Sequence, residues 1–436
     1  MYTEGAELQN DAGDLVKKPL ITVAAAFLLA IPNTVLAQLA SDEVPHQRTL
    51  PVSEQIRRDL ETSRLRVGIF RIRPSFALRD LGYDNNVFGS STDPFADWRS
   101  TVSAGARFIV PLGPKMYAGG AVVPEYTWYR KLTDRRILGG NYSGSLLALF
   151  NRLSLEGGAE TFKGISILSS ELERESIGKR IGAYGRAEVQ VLRRLSVIAS
   201  AREERQRYDL SAEAAANGNL LRELERNEQA VRGGLRYQMR SFFDVSVVAE
   251  KTRSNFLSAT SRNNGSHAVL LGVRYDRPRT FINLSAGSRT GEADVRSAAF
   301  PRYRTATGSY YASHELPMRA LMDVYGHRRL VYSLYADNAY YIETRNGAGI
   351  VVPLGRRIAV RAFGETGTND YPHAIQSVKR SDDAKTWGGG LALRFYRDIG
   401  LTTVVTKTQY TSNVAGQDRS LVRVLTAISL QREFFR

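Results

Sequence analysis

The sequence predicts an all-β chain, a transmembrane antiparallel up-and-down β-barrel of about 18 strands. Three observations carry that expectation. Apolar and polar residues alternate with period two along most of the chain. The connections between the alternating segments are short and long in turn. A segment of export type precedes the first strand.

The alternation is clearest over residues 178–206. Ile181, Ala183, Gly185, Ala187, Val189 and Val191 interleave with Arg180, Gly182, Tyr184, Arg186, Glu188 and Gln190. After a turn at Arg193-Arg194 the pattern restarts, with Leu195, Val197, Ala199 and Ala201 set against Ser196, Ser200, Arg202 and Glu204. Side chains of a strand point to opposite faces in turn, so this is strand periodicity. A soluble sandwich gives the same alternation. What favours the barrel is its repetition from end to end with no helical domain between.

Read in order, the candidate strands are 67–78, 97–111, 115–130, 140–150, 152–163, 178–192, 195–206, 227–240, 242–254, 265–276, 279–290, 303–315, 319–329, 340–353, 357–366, 384–397, 399–411 and 421–435. Tight connections fall at Gly113-Pro114, Asn151-Arg152, Arg193-Arg194, Arg240-Ser241, Arg277-Pro278, Leu316-Pro317-Met318, Gly355-Arg356 and Asp398. Long polar ones fall at 79–96, 131–139, 164–177, 207–226, 255–264, 291–302, 330–339, 367–383 and 412–420. A sandwich has no reason to sort loop lengths to opposite ends. An outer-membrane barrel has short periplasmic turns and longer outer loops. The longest, 207–226, carries Leu220, Leu221 and Leu224 at helical spacing; either it packs inside the mouth or against neighbouring loops and restricts the pore, or its helix lies on the rim.

Residues 17–38 read KKPLITVAAAFLLAIPNTVLAQ, two lysines, an apolar run and Val35-Leu36-Ala37. This predicts a signal peptide over 1–37, a short periplasmic lead over 38–66 and a barrel over 67–436. The apolar run is short for a spanning helix, and Pro32 interrupts it. There is no cysteine, hence neither a disulfide framework nor a thiolate site. The formal net charge of +16 comes mostly from arginines that alternate with aliphatic residues along strands. Basic balance of this kind often signals nucleic acid, but export argues against that partner. The expected location is the cell outer membrane, with outer-membrane lipid as a partner.

Eighteen strands enclose a lumen too wide for side chains to fill. Parity assigns its lining to Arg180, Tyr184, Arg186, Glu188, Arg202, Glu204, Arg274, Arg361 and Glu365. Two readings of this set are compatible. Arg–Glu ladders stiffen the wall, and arginines beyond the carboxylates offer bidentate contacts to an anionic solute. Some of the 21 tyrosines suit interfacial girdles, as in YTWYRK at 126–131 and YYIE at 340–343. The five histidines, His46, His267, His314, His327 and His373, form no HExxH pair, and neither a GxSxG elbow nor a nucleotide loop occurs. His314 beside Glu315 and Asp323 before His327 are the suggestive neighbours. The Gly388-Gly389-Gly390 run reads as close strand packing. No enzyme, cofactor or metal site is expected. The last strand sets Val422, Val424, Thr426, Ile428, Leu430 and Phe434 on one face and Arg423, Gln431 and Glu433 on the other.

GYDNNVFGS at 82–90 resembles the Tyr-x-Asp-Asn-x-Phe signature of the β-barrel porin 2 family, and residues 261–295 are similar to its paired strands. The likeness is one of pattern over roughly 67–435, and Arg436 after the terminal aromatic pair departs from it. The resemblance implies a porin-like barrel associated with exopolysaccharide export. It implies periplasmic export components as partners, an anionic polysaccharide as cargo, and structural roles in the first outer loop for Tyr83, Asp84 and Asn85. The residues leave open a general diffusion porin, and an outer-membrane enzyme or surface-binding barrel.

Overall fold

The computed structural model describes Leu60, Ser63 and residues 65–430, apart from 210–214, 296–299, 336–337, 376–377 and 397–398. The expected signal peptide, nearly all of the lead and the Phe434-Phe435-Arg436 terminus lie outside the described residues.

β1 (Leu65–Val67) and β2 (Phe70–Asp84) make a tight hairpin at Gly68, whose φ of 57° suits a residue without Cβ. There follow β3 (Asp97–Pro111), β4 (Met116–Tyr129), β5 (Ile137–Leu149), β6 (Leu153–Ile167), β7 (Glu175–Leu192) and β8 (Leu195–Tyr208). A helix, α1 (Ala215–Leu224), leads to β9 (Arg226–Arg240), β10 (Phe243–Phe256), β11 (Asn264–Asp276), β12 (Thr280–Ala293) and β13 (Tyr303–Glu315). The circuit ends with β14 (Leu321–Tyr332), β15 (Tyr340–Leu354), β16 (Ile358–Ile375), β17 (Val378–Tyr396), β18 (Ile399–Ser412) and β19 (Arg419–Leu430).

Consecutive strands from β2 onward pair antiparallel, and β19 returns to β2 from Arg423↔Asp84 to Leu430↔Phe76. Of the 19 strands among the described residues, β1 lies along β2, so eighteen staves, β2 to β19, close the ring. Closure satisfies each stave's backbone groups from its neighbours, which hydrocarbon demands. The staves run from 12 to 19 residues. About 9–11 suffice to cross a bilayer, so the surplus extends beyond the membrane at the long-loop end.

Parity holds around the ring. Val231, Val269 and Leu271 are more than half exposed on the outer face, while Arg232, Ala268 and Leu270 point inward. On β19 the buried Leu421, Arg423, Leu425 and Ala427 face inward, and Val422, Val424, Thr426 and Ile428 face out. A Cβ on Gly388 would meet the Phe363 ring and the Val405 carbonyl, as close strand packing requires.

Three expectations are corrected. The segment 367–383 is not a long loop. β16 and β17 stay paired through Asp370↔Ser381 and, past a bulge, Ala374↔Lys379. Its polar residues mislead because a hairpin standing clear of the membrane is wet on both faces. The loop expected from residue 79 begins after Asp84, because a bulge with Asp80 at φ 55° carries β2 further. The YYIE segment is not a girdle. Tyr341 is fully buried beside Tyr371, with ring centroids 5.3 Å apart, and Tyr340 packs on Phe300 and Tyr303. YTWYRK divides by parity, with Tyr126 and Trp128 outward and Tyr129 buried inward.

Candidate functional site

The predicted lumen residues fall on the inner face, and β6–β9 bring most of them together. The Tyr184 hydroxyl donates to Glu156 Oε1 at 2.9 Å, and its ring lies over Gly158. Arg186 Nη1 sits 3.8 Å from Glu156 Oε2 and stacks on the Tyr184 ring. Arg202 Nη2 reaches Glu160 at 3.0 Å and Glu204 at 2.5 Å. Arg180 lies over Phe162, and Glu188 pairs with Arg236. The remaining three stand on other walls. Arg274 pairs with Asp276 at 3.0 Å, Arg361 lies 3.7 Å from Asp323, and Glu365 lies 3.9 Å from Arg345.

Sequence reasoning missed Glu156, Glu160, Arg232, Glu250 and Arg289, which extend the ladder. Glu250 holds both Arg232 and Arg289. Their signal was the same parity on β6, β9, β10 and β12. The pairing leaves charge facing the lumen. The side chains of Arg186, Arg202 and Arg232 are all more than half exposed.

The segment that crosses the barrel is a shorter one. Residues 168–174, Leu-Ser-Ser-Glu-Leu-Glu-Arg, join β6 to β7. Ser170 Oγ is 3.0 Å from the Tyr341 hydroxyl. Glu171, fully buried, accepts from Ser333 Oγ at 2.7 Å and the Leu334 amide at 2.8 Å. Glu173 accepts from Arg423 Nη1 at 2.9 Å and from the Tyr410 hydroxyl. Arg419 donates to the carbonyls of Ser170 and Glu171. These partners belong to β15, β18, β19 and the β14–β15 loop. β15 stands eight staves from β7 in the ring of eighteen, nearly opposite. The loop therefore spans the bore instead of lying on its rim.

Neighbouring segments brace it. At its root, Glu175 accepts from Arg99 and, at 2.8 Å, from the Tyr129 hydroxyl. Gly89, at φ 60°, lets the first long loop lie against the Leu172 carbonyl, where a Cβ would collide. On α1, Leu221 and Leu224 are buried with Tyr208 and Leu334, packed against Leu168 and Leu172. Arg262 donates to the Ser333 carbonyl at 2.8 Å and the Tyr335 carbonyl at 3.2 Å, and pairs with Glu223 of α1 at 3.3 Å. The helix of the 207–226 loop packs against neighbouring loops, one of the expected arrangements, and there it buttresses the segment that spans. Burial pushes the Glu171 carboxyl up, opposed by its bonds from Leu334 and Ser333.

The YDNN motif serves the seam where the ring closes. Tyr83 points outward beside Trp98, with centroids 5.6 Å apart. Asp84 accepts from Arg423 Nε at 2.6 Å, and Asn85 Oδ1 accepts from the Val422 amide at 2.7 Å. The resemblance implies a place in the first outer loop, but Tyr83 and Asp84 belong to β2 and Asn85 follows directly, because the bulge at Asp80 carries the strand further. Among the described side chains, His267, His314 and His327 do not form one site. His327 Nε2 is 2.9 Å from Glu343, on the inner face, while His314 lies on the outer face beside Thr280. No group of metal-ligating side chains occurs among the described residues.

No family model matches this chain, and no curated protein matches it. Among solved structures it is similar to the outer membrane protein OpdK of Pseudomonas aeruginosa, at TM-score 0.50 and 9% identity, over 82% of this chain and 98% of that one. It is similar to OpdK with vanillate at TM-score 0.50 and 10% identity, over 82% and 98%. It is also similar to a BenF-like porin from Pseudomonas fluorescens Pf-5, at TM-score 0.50 and 9% identity, over 83% and 99%. At such identity the likeness speaks for the fold. This is a closed eighteen-stave barrel of the outer-membrane porin type, and its place is the outer membrane.

Proposed function

We propose that this porin-like barrel is a passive channel for small anionic solutes, and not an enzyme. The observation that carries the reading is the segment 168–174, which reaches the opposite wall and narrows the bore. A low-dielectric wall focuses the field of the exposed Arg186, Arg202 and Arg232, which favours anions. A neighbouring fold, OpdK, has been crystallised with vanillate, a small carboxylate, and the same chemistry suits this wall. A passive channel of this kind takes its drive from a concentration gradient.

Export of an anionic exopolysaccharide, with periplasmic partners, is the second reading. Its support is the distributed Arg–carboxylate ladder, whose weak, solvent-exposed contacts guide a chain without trapping it. It requires the crossing segment to swing aside. Reconstituted vesicles separate the two. Entry of small carboxylates, with exclusion of an acidic polysaccharide, supports the first reading. Loss of surface polymer on gene deletion, with small-solute uptake intact, would replace it with the second.

A further inference from the structure

The outer face changes character along β6–β10. In one cross-strand row, Gly157, Gly185, Ala201 and Val231 lie side by side, all apolar or small. Six residues towards the long loops on β7, the row reads Lys163, Lys179, Arg207. On β10 the outward Lys251 stands beside Val231 at the end of the apolar row, and Arg253 stands beside Gln229 one step nearer the long loops. Like charges directly opposite on adjacent strands destabilise a sheet. Among the described residues, Lys163 and Lys179 make no ion pair. Arg207 is held by neutral acceptors, the carbonyls of Gln206 and Arg226 and the Asn227 side chain, so its charge is not cancelled. Of the nearby acids, Glu203 pairs with Arg205 at 3.4 Å, Asp294 pairs with Arg253 at 3.0 Å, and Glu225 accepts from the Tyr208 amide at 3.0 Å.

We infer that this face binds a phosphate-bearing glycolipid of the outer leaflet, its phosphates bridging the Lys163–Lys179–Arg207 row. Two features favour a lipid. The row stands on the outward parity of its strands, on the long-loop side of the apolar row, the side on which outer-leaflet headgroups sit. Below it lies a shallow apolar groove of about 580 Å³, bordered by Met116, Leu146, Leu155, Gly157, Gly185 and Val231. Groove and row are about 20 Å apart along the strand at the usual rise per residue. An acyl chain thus finds a concave wall beneath the cations that hold its headgroup. Charge-assisted contacts from phosphate oxygens relieve the repulsion within the row.

The test is native mass spectrometry of the detergent-solubilised full barrel with lipid A, its phosphate-free analogue and phosphatidylcholine. The K163Q/K179Q variant should bind lipid A about tenfold more weakly, about 1.4 kcal/mol. The K385Q/K407Q control, at outward cations of β17 and β18, should bind it as the unmodified barrel does. Equal losses in both variants would reduce the effect to overall charge and overturn the assignment. So would undiminished affinity for the phosphate-free lipid. Thermal melting gives an independent reading. In detergent alone K163Q/K179Q should melt at or above the unmodified barrel, because repulsion is relieved, and lipid A should raise its melting temperature less. Lower melting in detergent alone would mean that the row stabilises itself without an anion, and would refute the inference.

Discussion

Releasing the segment that spans the bore should open it. The perturbation is the double substitution Glu171→Ala, Glu173→Ala. It removes four hydrogen bonds to carboxylates, from Ser333 Oγ, the Leu334 amide, Arg423 Nη1 and the Tyr410 hydroxyl. At about 1.5 kcal/mol each, the low end for bonds to a charged group, additive loss would be about 6 kcal/mol. The four share one short loop, so neighbouring losses overlap and about 3 kcal/mol is a sounder figure. That is more than a hundredfold in the ratio of docked to undocked loop. The bonds from Ser170 to Tyr341 and from Arg419 to the loop carbonyls remain, and they mark the docked position against which opening is measured. Barrel closure should survive, because the ladders of the eighteen staves are untouched. Single-channel conductance in planar bilayers should rise, with gel mobility of the unheated barrel unchanged. Equal conductance in a folded variant would mean that this loop does not limit the current, and would refute the reasoning.

Three further outcomes follow from the same geometry. Replacing Arg186 and Arg202 with Glu should weaken or invert anion preference, read as reversal potential across a salt gradient; cation preference in the unmodified barrel would contradict the lumen assignment. Because burial raises the Glu171 carboxyl, docking of the loop is strongest below the ordinary carboxylate value of about 4.3 and weakens, with the bonds from Ser333 and Leu334 still made, as pH rises through the raised value. Conductance should therefore climb with pH over that interval, and Glu171→Gln should flatten the climb. Asp84→Ala breaks a buried pair with Arg423 at the seam and should cost about 3–5 kcal/mol, read as a lower midpoint for the heat-induced gel shift, whereas Asp93→Ala on the exposed first loop should leave it unchanged.

Strand periodicity, the alternation of connection lengths and the stave count were legible in the sequence, because each is local. A strand that meets lipid on one face and water on the other must write that difference at every second residue, and Ile181 beside Arg180 does so. The inner-face assignment of Arg180, Tyr184, Arg186, Glu188, Arg202 and Glu204 followed from that rule alone. What local pattern cannot state is which loop folds inward. Residues 168–174 and 207–226 are both polar and both join neighbouring staves. The longer one has the more conspicuous leucines, yet the shorter one holds the bore. Glu171 and Glu173 earn their position only when Ser333, Tyr410 and Arg423, as many as 250 residues away, arrive on the opposite wall. The inward burial of Tyr341 is of the same kind, since its partners Ser170 and Tyr371 come from other parts of the ring. Ring closure sets those distances. One strand's sequence tells which way its side chains point, and the tertiary structure decides what they meet there.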